Sequence, residues 1–359
     1  MLLPLVFAFL LTVILLPLYI KWLKRLQLGQ FIREEGPQSH AVKAKTPTAG
    51  GVIFVIAIML TWFVFSALSK TWNMVSLMVI FLSSLCALLG LSDDTAKFTN
   101  KANRGLSAKE RLIWESIFGV GFAFVLLTLL PHVRQIILST HVAAHIAGHY
   151  PTYVLPAIVF VFLSVFLVAA TTNAINLHDG MDGLASGTLF SVFLTLSFML
   201  LKIGNPSLAL LSLACAGTLA GFLLFNCYPA KIFMGDVGSL FLGGILAAIV
   251  LSSGLILWFI PLSLLYILET LSVMLQVSYF KLTKPYVPEI PMSKPKLAIY
   301  KLTHRLPGEG KRIFRMAPLH HHFEAVWAEK GIGEWQAVLA FWLVQLVICA
   351  IVVAAFFSF

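Results

Sequence analysis

The chain has 359 residues, of which 59% are hydrophobic and only 11% charged, and its formal net charge is +10. Soluble proteins carry about 25% charged residues, so this composition, with a mean hydropathy of +0.93, excludes a soluble globular enzyme. Apolar stretches of about twenty residues read instead as membrane-spanning helices.

Ten such spans are predicted, near residues 2–23, 50–68, 73–91, 112–130, 153–171, 184–201, 207–225, 238–256, 258–280 and 336–357. The gaps are short, so the expected fold is all-α and polytopic, a single integral membrane domain over 1–359. The first span is too long for a cleaved signal peptide, and its positive charges follow it. Cys86, Cys215, Cys227 and Cys349 show no paired spacing and read as small buried residues. With the N-terminus outside, the inside loops are 21–49, 92–111, 172–183, 226–237 and 281–335, and they hold 22 of the 25 Lys and Arg residues. Both termini are therefore expected on the periplasmic side and the basic face on the cytoplasmic side. Such a face suits lipid headgroups and attracts a polyanionic substrate. The bilayer is an expected partner; nucleic acid is not.

Along the chain, the loop 21–49 ends in HAVKAKTPTAGG, where Pro47 fixes the backbone and Gly50–Gly51 permit close approach. Ser107 and Glu110 have capping-box spacing at the start of the fourth span. The outside gap 131–152 carries His132, His141, His145 and His149. It lacks the carboxylates that a hard cation needs, so these read as surface histidines. The last inside loop contains KPYVPEIPMSKPK, which is not expected to form a regular element. The absence of an internal repeat disfavours an inverted-repeat transporter.

All five aspartates fall in the polar gaps of the cytoplasmic side: Asp93 and Asp94 in LSDD, Asp179 and Asp182 in NLHDGMDG, and Asp236 in FMGDVGS. Ionisable groups at a bilayer edge are usually retained for function, and this set suggests a magnesium–phosphate site. Adjacent carboxylates such as Asp93 and Asp94 repel and call for a cation. Lys97 lies one helical turn on. Carboxylates at a helix C-terminus also oppose the macrodipole, so stability alone does not explain them. The segment from Asn173 to Gly183 offers amides, carboxylates and backbone N–H groups ahead of a helix, which suits a nucleotide as well as a metal. Asp182 alone would be explained as a cap. Asp236 reads as a metal ligand or an N-cap, and Phe233 as a base-stacking ring or an interface anchor. His320, His321 and His322 cannot all point into one site, so one or two are expected at a ligand and the remainder is structural. Their spacing is not that of a zinc motif. Glu115 and Glu269 are the acids placed inside spans. Glu269 reads equally as facing the cytoplasmic cleft or as a buried hydrogen-bonding group.

In this order and between these spans, HAVKAKTPTAGG, LSDDTAK, NAINLHDGMDGLA, FMGDVGSL and APLHHHFE resemble the polyprenyl-phosphate N-acetylhexosamine-1-phosphate transferases. Within that superfamily APLHHHFE points to the phospho-N-acetylmuramoyl-pentapeptide transferase branch. The resemblance implies ten transmembrane helices, a homodimer in the bacterial inner membrane, Mg2+, and a cytoplasmic cleft. It implies transfer from UDP-N-acetylmuramoyl-pentapeptide to undecaprenyl phosphate, giving lipid I and UMP. It further implies Asp236 as the magnesium ligand, and Asp93, with Asp94 beside it, nearest the lipid phosphate. Asn173, Asn176, Asp179, Gly180, Asp182 and Phe233 are implied for the uridine and diphosphate pocket. Lys43 and Thr48 are implied near the nucleotide, His320 and His321 as active-site histidines, and Lys97 and Arg111 as cleft cations.

The chain departs from the family pattern at three places. His178 stands where threonine is expected, Arg111 where lysine is usual, and 284–310 is an insertion. The N-terminus is also shorter than usual before the first span. Three other readings compete: the same chemistry with UDP-N-acetylglucosamine as donor, a cation transporter, and a non-catalytic binder. The histidine run disfavours the first. Carboxylates at one membrane edge instead of mid-span disfavour the second, and intact aspartates in all three motifs disfavour the third.

Overall fold

The computed structural model describes residues 2–25, 46–99, 105–137, 152–286, 288, 292–304 and 306–358. Among these, nine helices are long and apolar enough to cross a membrane. They are α1 (Leu3–Arg25), α2 (Gly51–Ser69), α3 (Met74–Thr99), α4 (Ala108–Leu129), α5 (Ala157–His178), α6 (Leu184–Lys202), α7 (Pro206–Asn226), α8 (Gly235–Ser253) and α13 (Glu334–Ser358). A further apolar pair, α9 (Ile256–Leu262) and α10 (Leu264–Thr283), meets at a 70° bend, with Pro261 just before the break. Two short helices complete the set, α11 (Lys294–Thr303) and α12 (Leu319–Ala328). The predicted all-α polytopic architecture is present, with nine unbroken spans among the described residues and a bent helix pair where the ninth of the ten predicted spans was expected.

Several boundaries move, for one reason. Between Leu91 and Thr99, and between Thr171 and His178, the sequence contains neither glycine nor proline. The helices therefore continue past their apolar runs, and Asp93, Asp94, Asn173 and Asn176 lie on helix instead of in loops. The Ser107–Glu110 capping box forms as expected, with Ser107 N donating to Glu110 and Glu110 N to Ser107. The proline-rich stretch after α10 is only partly irregular, because α11 opens within it at Lys294 with Pro295 in its first turn. Lys281 and Lys284 donate to the carbonyls of Leu302 and Leu306 and tie α11 back to α10. Between α4 and α5, β1 (Gln135–Ile137) and β2 (Thr152–Val154) pair antiparallel, with Ile136 opposite Tyr153. His141, His145 and His149 lie outside the described residues, as does the side chain of His132. Cys86, Cys215 and Cys349 are buried as expected, but Cys227 is exposed because α7 ends just before it.

The core centres on α8, which is buried along nearly its whole length, and α3, α5 and α2 pack around it. Small residues set those distances. A Cβ on Gly90 of α3 would overlap the Asp236 carbonyl, one on Gly51 of α2 would overlap Gly238, and one on Gly243 would sit 2.5 Å from Thr172 Cα. Membrane helices associate through such close backbone approaches. Here they bring the ends of α2, α3 and α5 against the first turn of α8. The outward faces carry exposed Phe63, Phe81, Phe124, Phe162 and Val347, as a lipid-facing surface requires.

Candidate active site

Asp236 occupies the first turn of α8, one residue after Gly235, whose φ of +74° is left-handed. Met234 holds the N-cap position, so Asp236 does not cap, and its carboxylate is free to reach across the bundle. Its Oδ2 meets Lys97 Nζ at 2.6 Å and Arg111 Nη2 at 2.9 Å. Its Oδ1 accepts from Asn176 Nδ2 at 2.7 Å, and the same amide nitrogen donates to Ser239 Oγ at 3.0 Å.

Asp93 joins the same cations, its Oδ2 lying 2.6 Å from Lys97 Nζ and 3.3 Å from Arg111 Nη2. Its Oδ1 accepts from the backbone N–H of Leu106 at 2.6 Å. Asp94 is buried one residue on, accepts from Val237 N at 3.3 Å, and is 4.0 Å from Lys97 Nζ. Arg111 completes the set by donating Nη1 to Asn176 Oδ1 at 3.2 Å. Three carboxylates and two cations from α3, α4 and α8 thus share one network, with Asn176 of α5 as its neutral strut. Every acceptor in it is an oxygen, the ligand class that hard divalent cations take. Asp93 Oδ2 and Asp236 Oδ2 share both cations, the Lys97 ammonium at 2.6 Å from each and the Arg111 Nη2 at 3.3 and 2.9 Å. The donor set therefore fits magnesium once Lys97 yields that position.

Residues 76–254 match the family described as Glycosyl transferase family 4. The chain is 36% identical over 346 residues to the phospho-N-acetylmuramoyl-pentapeptide-transferase of a Geobacillus strain, covering 96% of this chain and 94% of that protein. It is 38% identical over 339 residues to the protein of that name from Geobacillus thermodenitrificans, covering 94% and 92%. The Staphylococcus aureus protein of that name is 36% identical over 341 residues, covering 95% and 94%. The chain belongs to the phospho-N-acetylmuramoyl-pentapeptide-transferase family.

In this transferase the remaining motif residues border the network. Thr48 is buried, and Ala49 after it is left-handed at φ 72°. Gly50 N and Gly51 N then donate to the carbonyls of Phe233 and Met234, both at 2.9 Å, while Phe233 N donates to Pro47. That pairing seats Thr48 beside Gly235 and Asp94: a Cβ on Gly235 would be 3.0 Å from Thr48 Oγ1 and 2.9 Å from Asp94 Oδ2. Phe233 is partly buried. Lys43 lies outside the described residues.

Asp179 and Gly180 begin the turn after α5. Asp179 is half-buried, and burial together with the nearby Asp236, Asp182 and Asp94 carboxylates pushes its pKa up to about 7. Asp182 turns away from the network. Its Oδ2 accepts from Ala230 N at 2.9 Å and its own N–H donates to Glu334. The N-cap position of α6 is Gly183, so Asp182 does not cap that helix. Asn173 also faces elsewhere, donating to Glu115 Oε2 at 2.7 Å, while Thr172 donates to Glu115 Oε1 at 2.8 Å.

The three histidines open α12, where the His320 and His321 rings lie 4.2 Å apart between centroids and His322 turns to Phe314. His320 is fully buried, His321 lies 2.9 Å from Glu324, and His322 accepts from Arg315 N. Sequence reasoning missed the structural partners Ser239, Glu334 and Asn226, whose Oδ1 accepts from Gly183 N at 3.1 Å and from Ser186 Oγ at 2.7 Å, and it assigned Glu115 no partner. An acid within an apolar span was a visible signal for Glu115. Ser239 and Asn226 carry no signal separable from an ordinary small polar residue.

Proposed function

We propose that this chain is a magnesium-dependent phosphoglycosyl transferase of the bacterial inner membrane. It transfers phospho-N-acetylmuramoyl-pentapeptide from UDP-N-acetylmuramoyl-pentapeptide to undecaprenyl phosphate and yields lipid I and UMP, a step of peptidoglycan synthesis. The observation that carries this reading is the junction of Asp93, Asp94 and Asp236 with Lys97 and Arg111 at the ends of α3, α4 and α8, in a chain of this family.

An oxygen of the lipid phosphate attacks the sugar-linked phosphorus, and the bond from that phosphorus to the UMP oxygen breaks. Positioning and charge stabilisation dominate such transfers. A phosphate monoester has its second pKa at about 6 and is mostly dianionic at neutral pH, so attack needs no strong base. Both oxygens of Asp93 are engaged, one by Leu106 N and one by the two cations. That supports direct attack, with Asp93 positioning the acceptor, over a route through an aspartyl phospho-sugar. Lys97 and Arg111 take the phosphoryl charge. Asn176, Asp179, Gly180 and Asp182, with Asn173 behind them, frame the uridine and diphosphate pocket, bordered by Thr48, Lys43 and Phe233. His320 and His321 serve the phosphate side. Magnesium, held by Asp236, would neutralise diphosphate charge in that pocket.

The working unit is a homodimer with both termini periplasmic, so that the cluster opens to the cytoplasm. Residues 1–359 form one domain, and the 284–310 insertion is an accessory to it. The test is UMP release by purified protein with magnesium and both substrates, beside Asp236→Asn. Release that requires lipid, magnesium and Asp236 supports the reading. Release only with UDP-N-acetylglucosamine moves the chain to the sister branch, and no release with either donor overturns the reading.

A further inference from the structure

Behind the phosphate site lies a second polar cluster inside the bundle. His178, the last residue of α5, and His320, at the start of α12, are fully buried, and Glu269 of α10 is 1% exposed. Both rings reach the same acid, one through each carboxylate oxygen. His320 Nδ1 lies 3.2 Å from Glu269 Oε2, and His178 Nδ1 lies 3.6 Å from Oε1. The backbone N–H of His320 also points to Oε2, at 3.4 Å. Tyr266 packs edge-on against His178 with ring centroids 4.9 Å apart, closing the apolar side. The opposite edge of His320 is buried too, and it faces the turn after α5. Its Nε2 faces Gly180 so closely that a Cβ there would overlap it.

Buried polar groups need partners. The two carboxylate oxygens lie at ion-pair distance from the two Nδ1 atoms without an aligned hydrogen bond to either, and Oε2 is the side-chain acceptor set against His320 Nδ1. A carboxylate so placed fixes tautomer and ring orientation and leaves Nε2 for the reacting side. A metal ion fits less well. Ligating atoms of the three residues lie within 4.8 Å of one another, whereas bonds of about 2.0–2.1 Å to a zinc ion hold tetrahedral ligands only about 3.3 Å apart. The two histidines also address different oxygens of Glu269 instead of converging on one point.

We propose that Glu269 is a positioning residue for His320. Its Oε2 faces Nδ1 of His320 so that Nε2 is presented at the 179–180 turn, and His178 packs beside the other oxygen at 3.6 Å. This rests on the reading of His320 as a phosphate-side group of the transferase. His320 then meets the substrate while Glu269 and His178 act only through it.

The test has one readout that does not depend on turnover. In detergent-solubilised protein labelled with 15N-histidine, His320 is assigned by its loss in His320→Ala. The expected signal is a protonated Nδ1 in the wild type, moving to the Nε2–H form in Glu269→Gln. An unprotonated Nδ1 on wild-type His320 overturns the proposal, as does a stoichiometric transition metal that is lost in His178→Gln.

The second readout is UMP release. Glu269→Gln is expected to lower kcat at least about tenfold with the donor KM within about threefold. Glu269→Asp, which keeps the carboxylate, should recover part of that loss. The double variant Glu269→Gln/His320→Ala should be no slower than His320→Ala alone, because groups that act as a unit are not additive. Losses that multiply, or a Glu269→Gln protein that is less stable yet turns over at full kcat, overturn it. Full activity in His320→Ala, with the wild-type Nδ1 protonated, would instead overturn the assignment of His320 to the phosphate side.

Discussion

Lys97, on the last turn of α3, places its ammonium 2.6 Å from Oδ2 of Asp236, on the first turn of α8. The two residues are 139 positions apart, and the contact closes the network where two helix ends cross. Its cation also stands 2.6 Å from Asp93 Oδ2, so its removal leaves Arg111 alone to balance two nearly buried carboxylates.

Lys97→Met is therefore expected to destabilise the apoprotein. Breaking a fully buried pair costs about 3–5 kcal/mol. The Lys97 side chain is 32% exposed, so solvent screening reduces the expectation to about 1–3 kcal/mol. Magnesium should restore more stability in the variant than in the wild type, because it no longer competes with an ammonium. Thermal unfolding in detergent, with and without magnesium, checks this. An equal or smaller magnesium-induced rise of Tm in the variant would contradict it.

Arg111 bridges Asp93, Asp236 and Asn176 through two nitrogens. A lysine keeps the charge but loses the fork. Arg111→Lys should therefore retain kcat within about tenfold, and Arg111→Ala should lose about a hundredfold or more, the scale of one electrostatic donor at a phosphoryl site. Equal losses in the two variants would mean that the fork, not the charge, is what the site needs.

Asp179 sets a pH dependence of stability. Its pKa rises on folding from 3.8 to about 7, so between those values the folded state binds more protons than the unfolded state. Its contribution is fully present below pH 3.8, and it is lost as pH rises through about 7. Asp179→Asn should flatten the fall in Tm between about pH 5.5 and 8 and should raise stability at the alkaline end. Parallel slopes for the two proteins over that range would be incompatible with this assignment.

Gly90 and Gly121 form an internal comparison. A Cβ on Gly90 would run into the Asp236 carbonyl, whereas one on Gly121 meets nothing within 4 Å. Gly90→Ala should cost about 1–3 kcal/mol through overpacking. It should also lower kcat, because α3 carries Asp93 and Asp94 away from Asp236. Gly121→Ala should be neutral or stabilising by up to about 1 kcal/mol. Unfolding midpoints and UMP release on the pair separate packing at the crossing from a general intolerance of larger residues.

Much of this was readable in the chain. Hydropathy located the spans, and Asp93, Asp94 and Asp236 stood out because a carboxylate beside an apolar run has to have a reason. The Ser107–Glu110 box was legible because both partners lie within one turn. Arg111 was expected among the cleft cations, but its bond to Asp236 spans 125 positions, and no local pattern encodes which helix ends cross. Glu269 was visible as an acid in an apolar span. Its partners were not, since periodicity gives a face and not the neighbour that covers it. The extension of α5 through Asn176 also escaped a reading keyed to hydropathy, because polar residues without a breaker carry a helix onward as readily as apolar ones.

The close embrace of Lys97 and Arg111 with the aspartates has a thermodynamic corollary. At rest the two cations neutralise acids, so a diphosphate that recruits them releases Asp93 and Asp236, and a divalent ion that captures those acids releases the cations. Each ligand thus clears the site for the other. Nucleotide affinity and magnesium affinity should then rise together by one common factor, as reciprocity between coupled sites demands. Neutralising Lys97 should shrink that factor.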